Sequence, residues 1–134
     1  VRDSAVLVRY ARAEMLVRQK KLSEAARIFE NLEQTQSDLS ARCGEQAVAL
    51  FIKLGKFGRA EALIQKIEND YPNYVNNDRL YFLLASARQK EKRWQEAFET
   101  YQALISKYPD SFYLERAREN ARRIRENYLK AQVE

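Results

Sequence analysis

The sequence predicts an all-α protein, an α-solenoid of three helix–turn–helix repeats closed by a C-terminal capping helix. Three observations carry that prediction. The 134 residues include only three Gly and two Pro, amid abundant Ala, Leu, Glu, Lys, Arg and Gln, side chains that lose little rotamer freedom in a helix. A stripe of apolar residues with spacing 3, 4, 3 occurs three times, its starts 35 and then 37 residues apart. Beyond each stripe comes Ser37, Pro72 or Pro109, a residue that stops a helix or turns the chain.

The elements follow in order within one domain spanning residues 1–134. Repeat 1, about residues 4–37, has a helical run over Ser4–Gln19, the connector "QKK", and the stripe Leu22, Ala25, Phe29, Leu32. Repeat 2, about 38–73, has Asp38–Leu54, "GK", and Phe57, Ala60, Ile64, Ile67. Repeat 3, about 76–110, has Asn76–Lys90, "KEKR", and Trp94, Ala97, Tyr101, Leu104. Connectors this short permit only an antiparallel helix pair. The small second residue of each stripe lets a neighbouring helix approach closely. Gly55 stands where a left-handed helix ending costs Gly least. Tyr71 and Tyr108, before the two prolines, are expected to pack across the junction to the next repeat.

The last run, about 111–131, carries one stripe, Tyr113, Ala117, Ala121, Ile124 and Tyr128, with Ser111 as its expected N-cap. Arg122 and Arg125 fall where a further helix would pack. Burying them unpaired would be costly, so the run is expected to close the array. At the other end Val6, Leu7, Val8 and Val17 await cover from a preceding repeat or a partner. The chain starts at Val1 without Met, as a fragment or a processed form would.

The repeats resemble the tetratricopeptide repeat (TPR) family over nearly the whole chain. Repeat 2 carries Val48, Phe51, Gly55, Phe57, Ala60, Ile64, Ile67 and Pro72 at the family's places. Repeat 3 carries Tyr81, Leu84, Ala85, Trp94, Ala97, Tyr101, Leu104 and Pro109, but Lys92 replaces the Gly and Arg88 a usual aromatic. Repeat 1 carries Ala13, Leu16, Leu22, Ala25, Phe29 and Leu32, with Lys20 and Ser37 in place of Gly and Pro. The resemblance implies a right-handed solenoid whose concave face, lined by the first helices, binds a partner peptide or domain. The phrase "KYPDS" and the closing "YPDSFYLERARENARRIRENYL" are similar to a narrower group, the bacterial periplasmic or lipid-anchored TPR proteins of BamD type and the Tol–Pal-associated coordinator. That likeness implies a bacterial envelope assembly, periplasmic or outer-membrane-associated, with any lipid anchor outside this chain; a cytoplasmic setting is the alternative.

Projected from the aligned stripes, the concave face should present Tyr10 and Glu14 from repeat 1, and Arg42 and Glu45 from repeat 2. Repeat 3 should add Arg79, Phe82, Ser86, Gln89 and Lys90. Aromatic and Arg anchors there would suit an extended or helical peptide with acidic and apolar residues. Phe82 and Tyr10 either stand open in that groove or pack between repeats. A carboxylate-clamping TPR subclass resembles a Lys, Asn, Asn, Lys, Arg set at the places of Tyr10, Glu14, Gln46, Arg79 and Leu83. Four of the five lack the required type, which disfavours that function.

Little in the chain points to chemistry. His is absent, so Ser and Thr lack the commonest activating base. The single cysteine, Cys43, falls on an apolar helix face as a small core residue, and no metal or other cofactor is implied. No metalloprotease, P-loop, nucleophile-elbow or EF-hand motif occurs. The carboxylates Glu24, Glu30, Glu61, Glu68, Glu96 and Glu99 read as outward, solvated faces. Asp3, Asp38, Asp70, Asp78 and Asp110 read as helix-end residues. A non-catalytic protein-binding scaffold is the expectation. The alternatives are a self-associating module stacked through repeat 1, or a basic surface contacting nucleic acid or an anionic membrane. A net charge of +5 motivates the last, with Arg116, Arg118, Arg122, Arg123 and Arg125 as its patch.

Overall fold

A computed structural model describes residues 2–35 and 39–129. Expectations for Ser37, Asp38 and Lys130, and for the side chain of Asp3, fall outside the described residues. Every regular element among the described residues is helical: α1 (Arg2–Arg18), α2 (Leu22–Glu33), α3 (Ser40–Lys53), α4 (Phe57–Asp70), α5 (Asn77–Lys90), α6 (Trp94–Lys107) and α7 (Leu114–Ile124). A π-helical turn, Arg125–Leu129, continues α7. The chain divides into two compact units, Val1–Tyr74 and Val75–Glu134.

In the first unit α1 packs on α2, α2 on α3 and α3 on α4. Ala25 and Ala60, the small second residues of the stripes, are fully buried, as are Leu32 and Ile67 further along. Gly44 on α3 admits the closest approach: a Cβ there would lie 2.7 Å from Ile67 Cδ1 and 2.9 Å from Glu33 Cγ. In the second unit α5 packs on α6 and α6 on α7, around Ala97, Tyr101 and Leu104. Trp94 stacks face to face on Tyr128, centroids 3.7 Å apart.

The hairpin turns repeat to the residue. Lys20, Gly55 and Lys92 all take a left-handed backbone, with φ of 62°, 75° and 62°. Each forms the same pair of helix-closing bonds; around Gly55 these are Gly55 N to Ile52 O and Lys56 N to Phe51 O. The Gly expected in repeat 2 thus marks a backbone geometry that repeats 1 and 3 impose on lysine.

One local expectation is corrected. Helix α7 starts after Tyr113, not Ser111, because the Ser111 hydroxyl accepts from Tyr113 N at 3.0 Å and donates to Asp78 Oδ2 at 2.5 Å. Within the first unit the Tyr71 hydroxyl donates to the Glu33 carbonyl of the preceding repeat at 3.2 Å. Tyr108 lies against Tyr81 of its own repeat, centroids 6.1 Å apart.

Candidate functional site

In the first unit the expected site residues lie on α1 and α3. Tyr10 is half-buried and meets Phe29 edge-on, centroids 5.3 Å apart. Glu14 and Arg42 lie near enough for their charges to act on its hydroxyl. Burial pushes its pKa above the ordinary phenol value, the Glu14 charge adds to that, and Arg42 opposes it. Tyr10, Glu14 and Arg42 are therefore gathered into one cluster, Glu14 and Arg42 exposed. Glu45 is drawn off to the connector, where its Oε1 accepts from the Tyr74 hydroxyl.

The second unit departs from the expected open face. Phe82 is 8% exposed, stacked on Tyr113 at 4.9 Å, edge-on to Tyr101, and covered by the Arg116 guanidinium at 4.9 Å. Of the two places left open for Phe82, packing is the one it takes. Gln89 Oε1 accepts from the Tyr101 hydroxyl at 2.7 Å, and Ser86 Oγ lies 3.4 Å from the same oxygen. Asn120 Nδ2 donates to it at 3.1 Å. Ser86 and Gln89, expected on a free face, are half-buried around one phenol because the capping helix brings Asn120 to that oxygen. Lys90 is exposed and Arg79 half-buried.

Other charges are less solvated than their spacing implied. Glu30 Oε1 accepts from Arg59 Nη2 at 2.7 Å across the first two repeats. In repeat 3, Arg88 is 5% exposed; its Nη1 donates to Thr100 Oγ1 at 2.9 Å, and its Nε lies 3.6 Å from Glu96 Oε2. Asp70 ends α4, where the helix dipole disfavours an acid, and Lys66 compensates at 2.7 Å.

Sequence reasoning missed Glu33. Its side chain is fully buried, Oε2 accepting from Lys66 at 2.9 Å while Oε1 has no hydrogen-bond partner. Burial drives its pKa up, against the opposing pull of Lys66. The bond from Lys66 drives Asp70 down. Glu33, Gln34, Lys66, Asp70 and Tyr71 line a cavity of about 550 Å³. The signal was present in the sequence: Glu33 sits one turn past Phe29, on the buried stripe of α2.

Among the described residues no three His, Cys, Asp or Glu side chains are grouped to hold a metal. Cys43 is fully buried and its thiol pushed up to about 11 by desolvation, as a core residue requires. No helix among the described residues is long and apolar enough to cross a membrane.

Residues 79–111, the third repeat, match the family model described as Tetratricopeptide repeat. Among solved structures, the Arabidopsis OM64 TPR domain is similar, with a TM-score of 0.62 and 18% identity over 95% of this chain and 99% of that one. The fold is that of a TPR domain. No curated protein matches the chain in sequence. TPR folds generally mediate protein–protein contact, and proteins built from TPR repeats are typically non-catalytic scaffolds.

Proposed function

We propose that this chain is a non-catalytic scaffold that binds a partner protein through the first-helix faces of its repeats. The observation that carries the reading is the Tyr10–Glu14–Arg42 cluster, which sets an aromatic ring beside exposed charges of both signs on two first helices. Aromatic and Arg side chains anchor peptides at low ordering cost. In the second unit Arg79 and Lys90 give the first helix of repeat 3 a basic character of its own, while Phe82 serves the core. The bacterial envelope setting rests on the Tyr-Pro-x-Ser phrasing and the likeness of the closing helix.

Immobilised wild-type chain, compared with Arg42→Glu and Arg79→Glu forms of equal helicity, tests this with extracts of the source cell. One protein retained by the wild type and lost by either variant supports first-helix binding. A protein retained equally by all three refutes it.

A second reading, self-association through repeat 1, is favoured by Leu7, Val8 and Met15 on α1, which are 54%, 69% and 52% exposed. Light scattering that reports a monomer at high concentration eliminates it.

A further inference from the structure

The groove between α6 and α7, within the second unit, is a separate surface. Its floor is Phe98, Ile105 and Ala121, and its rim is Arg118, Arg122 and Arg125, around about 190 Å³ of open space. The floor breaks the pattern of the repeats. The places of Phe98 and Ile105 hold Glu61 and Glu68 in repeat 2, so apolar residues have replaced acids on a half-exposed face. In repeat 1 the place of Ile105 is held by Glu33, which contacts Lys66 of α4, the second helix of the following repeat. The groove therefore has the form of a seat for a second helix.

The rim states what can fill it. Counted from the prolines, Arg125 takes the place of Arg88, and α6 sets Glu96 and Thr100 against Arg88. An apolar helix laid over α7 would bury Arg122 and Arg125 unpaired, at high cost. A helix with an apolar stripe flanked by Glu or Asp would cover Phe98 and Ile105 and pair those guanidiniums, as α6 does for α5. We infer that the α6–α7 groove docks an acidic amphipathic helix of a partner protein, seated over α7 as α6 is over α5.

A polyanion fits the surface less well. Arg118 and Arg123 are paired with Glu115 and Glu119 at 3.2 and 2.9 Å, and Arg116 is spent on Phe82. Those carboxylates would repel phosphates, and phosphates gain nothing from Phe98 and Ile105. This surface is independent of the first-helix faces, so Arg42→Glu and Arg79→Glu should leave it intact.

Fluorescence anisotropy with the full chain tests the inference. The probe is a labelled helical peptide of about 16 residues with Leu at i, i+3, i+4 and i+7 and Glu at the flanks. Controls are a permuted peptide of the same composition and a single-stranded DNA of similar length. The striped peptide should bind, and the Arg122→Glu/Arg125→Glu double variant should weaken it by about tenfold or more. Ile105→Glu, which installs the residue type of repeat 2, should weaken it too. Arg123→Glu, which makes the same kind of charge change away from the groove, should alter affinity by no more than about twofold. Equal binding of the permuted peptide, equal weakening by Arg123→Glu, tighter binding of the DNA, or no binding of the striped peptide would each overturn the assignment.

Discussion

A Cβ on Gly44 would sit 2.7 Å from Ile67 Cδ1, closer than packed carbon atoms come. Ile67 and Glu33 converge on this glycine because α3 runs between the ends of α2 and α4. Gly44→Ala should therefore destabilise the protein. Alanine gains about 1 kcal/mol of helix propensity over glycine. Overpacking costs about 1–3 kcal/mol and outweighs that gain here, because Ile67 is wholly buried and cannot swing away. A urea midpoint raised by the substitution would contradict this packing.

The left-handed turns predict changes of opposite sign. Lys20 and Lys92 hold a conformation that strains any side chain bearing a Cβ. Lys92→Gly should raise stability by about 0.5 kcal/mol, the strain relieved exceeding the added entropy of an unfolded glycine. Gly55→Ala should lower it by about 1 kcal/mol, although its Cβ would meet nothing within 4 Å, since the cost is backbone strain alone. Thermal melts of the two variants moving in the same direction would refute the common turn geometry.

Arg88 and Phe51 hold one place in successive repeats, and the residue opposite changes with them. Phe51 lies under the Arg59 guanidinium at 4.3 Å, whereas Arg88 faces Glu96. Arg88→Ala should cost about 2–3 kcal/mol, from the cavity left by the stem and the lost bond to Thr100. The double substitution Arg88→Phe/Glu96→Arg transplants the repeat 2 pair and should recover most of that loss. A double variant no more stable than Arg88→Ala would show that the two sites are not equivalent.

Glu33 makes stability depend on pH. A carboxyl whose pKa is raised by folding holds its proton more tightly in the folded state, so it favours folding below the unfolded value of about 4.3. That contribution is lost as pH rises through the raised folded value. Asp70, held down by Lys66, works oppositely: its contribution is present above its unfolded value and lost as pH falls. Glu33→Gln removes the first effect and keeps Lys66, the larger cause of the second. The stability difference, variant minus wild type, should grow in the variant's favour as pH rises from about 4.3 through the raised folded value. Urea unfolding curves that stay parallel over that range would refute the burial argument.

The helix order, the turn places and most of each hairpin core could be read from the chain. Ala25, Ala60 and Ala97 had to be buried because a 3.6-residue period assigns a face to every position of a helix. The left-handed turn was legible at Gly55 but hidden at Lys20 and Lys92, where lysine has no preference for that geometry. Of the candidate site, Tyr10, Glu14 and Arg42 were foreseen together. Ser86 and Gln89 were expected on a free face and Phe82 was left between groove and packing, since nothing in the period of α5 announces that Tyr113, Arg116 and Asn120 will cover them.

By itself, then, the sequence determined that this protein is a row of helical hairpins, where each turns, and which stripe each helix buries. Tertiary structure alone decided that Glu33 meets Lys66, that Tyr101 binds together Ser86, Gln89 and Asn120, and that Phe98 and Ile105 floor a groove rimmed by arginines. The physical reason is one of range. Periodicity is a property of a single helix and its hydrogen-bond ladder, but burial of a charge or opening of a groove depends on which side chains of other helices arrive over it.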